Sequence, residues 1–229
     1  MGAVLPKKGI RALFSDTLES EQHRITPGLV WQSVWQMTSL FLLSLLAVAP
    51  SAPICQPEPK ESPAREAVWN AKVARLPALE QALPRRPDRS LVIPVAGVRV
   101  SDIADTWGAA RGGGLKHAGQ DIFAKRGTPV FSATAGTVWM IGGSVRGGTW
   151  VYVLGAGGRR YYYAHLEKVV AGLKEGQKVT ARTALGTVGT TGDAETTPPH
   201  LHFAVFGRPN QDGPCRFPAF DPLPLLRAR

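Results

Sequence analysis

Thr149–Leu166, TWVYVLGAGGRRYYYAHL, consists of two runs of β-branched and aromatic residues around a glycine-rich turn. Such a pattern predicts a β-hairpin. In its second strand, side chains alternate between faces. Tyr161, Tyr163 and His165 are therefore expected on one side, with Tyr162, Ala164 and Leu166 on the other. The same texture extends in both directions. LVIPVAGVRV, TPVFSATAGTVWMI, QKVTARTALGTVG and HLHFAVF are short apolar runs separated by turn residues, with almost no helical periodicity. From Leu91 to the end, at residue 229, the chain reads as an all-β unit, a compact domain of antiparallel sheet.

Upstream the texture differs. Nothing ionised at neutral pH lies between Arg24 and Glu58, and the most apolar part is Met37–Ala49. That core suits a signal peptide better than a membrane span of about 20 residues, although extension back to Leu29 gives a span-length segment. Residues 1–28 are thus a flank, with His23 a surface residue, and 29–54 a signal peptide or membrane anchor. Residues 55–90 are rich in proline and charge and read as a linker. A short helix or two is expected within Ala64–Leu83, broken or kinked at Pro77.

Composition narrows the function. Of 229 residues 44% are hydrophobic, too many for a disordered chain. The net charge of +10 suits a polyanionic polymer or an anionic surface. No nucleic-acid motif accompanies it. Two cysteines cannot build a disulfide scaffold, and no CxxC is present to hold a thiolate metal site. Three states are open to Cys55 and Cys215: a disulfide after export, free thiols, or lipidation of Cys55. For lipidation, Ala52-Pro53-Ile54 lacks the expected leucine and small residue.

The histidines carry the chemistry. Four of the five fall inside the β unit, in His117-Ala-Gly-Gln-Asp121, Tyr163-Ala-His165-Leu166 and His200-Leu-His202-Phe203. Alternation puts His200 and His202 on one face, with Cα atoms about 7 Å apart, while Leu201 and Phe203 enter the core. One of the pair can bind a metal while the other stands beside it. His117 and Asp121 would be about 13 Å apart along a straight strand. A bend at Gly119 is needed to bring them together. His117, Asp121 and one histidine of the later pair then supply three ligands with an open fourth position, as a catalytic zinc site requires. His165 can accept a proton near such a site or stabilise an oxyanion.

The segments HAGQDIFAKRGTPVFSATAGTV, YYYAHL and VGTTG…PPHLHF closely resemble the lysostaphin-like (LytM-type, β-lytic) zinc metallopeptidases. The resemblance covers roughly Leu91 to Pro222, including the closing Asp-Pro pair. It implies Zn2+ as cofactor, His117, Asp121 and His202 as metal ligands, and His165 and His200 as catalytic residues. It also implies a groove across the sheet, which the loops Arg111–Gly114 and Gly142–Gly148 could line. The implied activity of residues 91–229 is hydrolysis of peptide cross-links in bacterial peptidoglycan, with the stem peptides as substrate. The protein is then exported, to the periplasm or another extracytoplasmic site, and held at a membrane if its N-terminal segment stays uncleaved. Pro198 stands where these proteins usually have glycine, a change in the entry loop rather than in the ligands. Two other readings come with the resemblance: a non-catalytic activator of wall hydrolases, and an endopeptidase for glycine-rich proteins. Retention of all five functional positions argues against the activator.

Overall fold

The computed structural model of the chain describes residues 51–55, 62–209, 215 and 217–227. The flank 1–28, and residues 29–50 of the apolar segment, lie outside the described residues. Among those that are described, no helix is long and apolar enough to cross a membrane.

Among the described residues nine strands form one antiparallel sheet: β1 (Gln120–Phe123), β2 (Pro129–Phe131), β3 (Gly136–Ser144), β4 (Gly148–Gly155), β5 (Arg160–Val169), β6 (Lys178–Val179), β7 (Ala184–Val188), β8 (His200–Phe206) and β9 (Ala219–Phe220). The main path runs β1-β8-β5-β4-β3-β6. β2 pairs with β7, β7 also with β5, and β9 with β8. The hairpin of β4 and β5 is formed as its sequence predicts, turning through Ala156–Gly158, with Gly157 and Gly158 at positive φ. Leu91–Val95 packs along the core without forming a regular strand. Pro94 has no N–H for a ladder, and only an isolated bridge from Val95 to Val130 forms.

Sequence alternation sorts side chains into two cores. Tyr161, Tyr163, Leu201, Phe203 and Val205 point to one face, where they join Ile122, Val130, Val151, Val153 and Leu185, all fully buried. The buried Tyr163 hydroxyl has a partner, accepting a hydrogen bond from the Ala133 N–H at 2.9 Å. On the other face Trp139, Met140, Trp150, Leu154 and Ala164 form a second cluster.

That second cluster is covered by helices α1 (Pro63–Ala74) and α2 (Leu76–Glu80). Ser62 caps α1, with Pro63 at its first position. Pro77 falls in the first turn of α2, where its missing N–H costs nothing. Val73 and Leu76 are buried against the sheet. Trp69 meets Trp139, Tyr152 and Phe217 edge-on at centroid distances of 5.4, 6.1 and 5.9 Å. Buried Arg160 lies 4.3 Å over Phe217 and donates to the Gly207 carbonyl.

The two cysteines form a disulfide, Cys55–Cys215, with Cα atoms 5.4 Å apart. Beside it, Ile54 and Ala219 exchange a pair of backbone hydrogen bonds at 3.0 Å. The helical segment is therefore fastened to the sheet at a point preceding α1.

Candidate metal centre

Strand register assembles the site. β8 lies between β1 and β5, so His202 has Asp121 opposite it on one side and Ala164 on the other. Directly opposed residues share a face. His117 precedes β1, and the chain bends at Gly119 before entering that strand. Gly119 does not use a left-handed φ. Its role is close approach: a Cβ there would sit 2.7 Å from the His202 ring and 2.8 Å from the Phe203 carbonyl oxygen.

The bend delivers three donor atoms to one point. His117 Nε2 is 3.0 Å from Asp121 Oδ1 and 2.8 Å from His202 Nδ1, and His202 Nδ1 is 3.1 Å from Asp121 Oδ1. A tetrahedral zinc with bonds of about 2.0–2.1 Å separates its ligand atoms by about 3.3 Å. Two imidazole nitrogens and one carboxylate oxygen at near-equal spacing thus form one face of such a tetrahedron. The fit to a metal rests on this donor set and its geometry. His117, Asp121 and His202, the ligand set that the resemblance implies, are brought together in space.

The His117 imidazole is oriented by its other nitrogen. His117 Nδ1 donates to the Thr106 carbonyl at 2.7 Å, which leaves Nε2 with its lone pair toward the centre. The Asp121 carboxylate has its outer oxygen, Oδ2, held by Arg111 Nη2 at 2.7 Å. Burial pushes the Asp121 carboxyl up, but hydrogen bonds from His117 and His202 outweigh it and hold the group well below the usual carboxylate range. Burial pushes the His202 imidazole down to about 4, so it is neutral at physiological pH and able to ligate.

The other two histidines flank this triangle. His200 Nδ1 donates to the Pro198 carbonyl at 2.8 Å, and His165 Nδ1 to the Thr191 carbonyl at 2.8 Å. Both therefore keep Nε2 free to exchange a proton. His200 Nε2 is 3.8 Å from Asp121 Oδ1, and the two rings are 5.0 Å apart. Burial lowers the pKa of His165, against the raising effect of its bond to Thr191.

His165 does not obey the alternation expected of its strand. Leu166, expected opposite Tyr161 and Tyr163, shares their core, and His165 turns away from it toward His200 and His202. The reason is a β-bulge. Register shifts on both edges of β5 near this point, and His165 adopts φ 59°, a left-handed conformation costly for a non-glycine residue. Surrounding bonds hold it there: its N–H donates to the Gly147 carbonyl at 2.9 Å, and Thr191 Oγ1 bridges the Leu166 carbonyl and the Thr149 N–H. Gly148 permits this packing, since a Cβ there would lie 2.1 Å from Thr191 Oγ1.

Of the two loops expected beside the site, Arg111–Gly114 delivers Arg111 to the metal triangle. Gly142–Ser144 instead belongs to β3, leaving only a tight turn before Gly148. At the rim stand Phe123, 47% exposed with its ring 5.4 Å from His200, and Asp193, whose Oδ1 is 3.8 Å from His165 Nε2. Arg111, Thr106 and Thr191 are the residues here that sequence reasoning did not assign. Their roles run through backbone carbonyls and ion pairs that no spacing rule encodes.

A β-sheet domain that gathers two imidazoles and a carboxylate, with two further imidazoles alongside, has the constitution of a metallopeptidase domain. Residues 115–213 match the family model of peptidase family M23, so this stretch of the chain is a peptidase M23 domain. Among its relatives, an L-Ala--D-Glu endopeptidase of Bacillus subtilis is 39% identical over 130 residues, 54% of this chain and 39% of that protein. The peptidoglycan DD-endopeptidase ShyA of Vibrio cholerae is 35% identical over 95 residues, 41% of this chain and 21% of that protein. The crystal structure of a putative M23 peptidase from Pseudomonas aeruginosa superposes with a TM-score of 0.50 at 25% identity, covering 73% of this chain and 63% of that one. The chain thus spans well under half the length of these two sequence relatives, and the fold is the antiparallel one that the sequence predicts.

Proposed function

We propose that the protein is a zinc-dependent endopeptidase that hydrolyses peptide cross-links of bacterial peptidoglycan. The observation that carries this reading is the triangle of His117 Nε2, Asp121 Oδ1 and His202 Nδ1, with His165 and His200 beside it. A zinc ion held by those three atoms supplies Lewis-acid polarisation of the scissile carbonyl and lowers the pKa of water. His165 and His200, each with Nδ1 committed to a backbone carbonyl, hold or move a proton at Nε2. Arg111 anchors Asp121 at its outer oxygen, and Phe123 offers an apolar surface to the substrate backbone. The catalytic domain is residues 91–229.

Peptidoglycan as substrate is supported by the names of the relatives and by the net charge of +10, which suits a wall polymer bearing carboxylates. Action outside the cytoplasm is supported by the Cys55–Cys215 disulfide and by the apolar segment 29–54, as signal or anchor. Digestion of purified sacculi and of a glycine-rich polypeptide, with products read by mass spectrometry, tests the substrate. New stem-peptide termini from sacculi are expected, and cleavage of the polypeptide alone would overturn the assignment.

A further inference from the structure

Gln120 stands between the ligands of the His117–Asp121 pair and is completely buried. In β1 it faces away from Asp121, where an apolar side chain would fill the space without needing partners. A buried primary amide is costly unless its hydrogen bonds are made. Here they are all made. Nε2 donates to Asp105 Oδ1 at 2.9 Å and to Asp221 Oδ1 at 3.1 Å. Oε1 accepts from the Thr106 N–H at 2.8 Å and the Thr106 hydroxyl at 3.1 Å.

Thr106 passes this grip to the ligands. Its carbonyl accepts from His117 Nδ1, and its Oγ1 accepts from the Asp121 N–H at 2.9 Å. One residue therefore holds the tautomer and ring direction of the first ligand and the backbone of the second. The other end of the bracket is the Asp-Pro pair at the end of the domain. Asp221 Oδ1 also accepts from the Leu223 N–H at 2.9 Å, at the start of α3 (Leu223–Arg227). That gives the closing aspartate a role that its place in the sequence does not suggest.

We infer that Gln120 and Thr106 are positioning residues that set the affinity of the metal centre, by locking His117 and Asp121 to each other and to the C-terminal Asp221. The inference rests on the zinc reading above. Partners of this kind typically change metal affinity about 10–100-fold when removed.

The test uses the 229-residue chain with zinc alone as probe, titrated against a competing chelator, beside thermal melts of each metal-free protein. Thr106→Val deletes the hydroxyl, Thr106→Ser restores it, and Gln120→Met removes the amide at similar length. Thr106→Val and Gln120→Met are expected to weaken zinc about 10–100-fold, with Thr106→Ser within about threefold of the parent. If Gln120→Met does not fold, Thr106→Val decides, since it exchanges one oxygen for a methyl group. A merely structural role would lower the metal-free melting temperature and leave the affinity of the folded protein unchanged. Unchanged affinity in a folded Thr106→Val variant overturns the inference and leaves the peptidase reading standing. A parent chain that binds no zinc overturns both.

Discussion

The same face of one sheet carries two unlike halves. Along β5 and β8, Tyr162, Ala164 and Phe206 belong to an aromatic half covered by α1 and α2, while His200 and His202 belong to a histidine half with no helix over it among the described residues. The halves touch: the Tyr162 and His202 rings are 6.0 Å apart. The aromatic half is held by apolar area and edge-on ring contacts, which tolerate some imprecision. The histidine half is held by hydrogen bonds to carbonyls at Thr106, Thr191 and Pro198, whose distance and angle requirements are narrow. The sheet thus divides labour, stability on one half and geometry on the other.

If that division is real, substitutions on the two halves have separable consequences. The largest effect is expected from His117→Ala, Asp121→Ala or His202→Ala, each weakening zinc by at least about 10³-fold with peptide hydrolysis falling to background. Equilibrium dialysis with metal analysis checks it. His165→Ala should keep zinc yet lower kcat about 10²–10⁴-fold, read from single-turnover assays on a soluble stem peptide.

On the covered half, Leu76→Ala should cost about 2–4 kcal/mol in denaturant unfolding, with zinc affinity unchanged. Loss of zinc affinity there would break the comparison. Replacing both Cys55 and Cys215 by serine should lower stability by about 2–4 kcal/mol, again without moving zinc affinity.

The smallest effect is one of pH. The folded His202 pKa of about 4 lies below its unfolded value of 6.5, so the unfolded chain binds more protons between them. The metal-free protein should therefore lose stability as pH falls from 6.5 to 4. Melting curves across that range check the sign, and His202→Ala should flatten the slope.

Much of this division was legible in the sequence, for a definite reason. The hairpin at Thr149–Leu166 and the facing of His200 and His202 follow from strict alternation, which depends only on backbone geometry. Alternation failed at His165, because a bulge inserts a residue without leaving a mark on the apolar pattern. Gly119 was correctly read as the bend, but its need arises from the His202 ring packed against it, a contact 83 residues away in the chain. Pro77 signalled the break between helices, whereas the docking of α1 on Trp139 and Tyr152 depends on a register that the helix sequence does not hold. Thr106 and Gln120 were invisible for a related reason: carbonyls and buried amides acquire meaning only when the fold closes around them.

The most direct measurement takes zinc content and sacculus hydrolysis on the same samples of the parent chain, His202→Ala and His165→Ala. The parent should hold one zinc and release new peptide termini, His202→Ala should do neither, and His165→Ala should hold zinc and release almost none. Hydrolysis that persists in zinc-free His202→Ala would contradict the placement of the metal and the chemistry on the histidine half of the sheet.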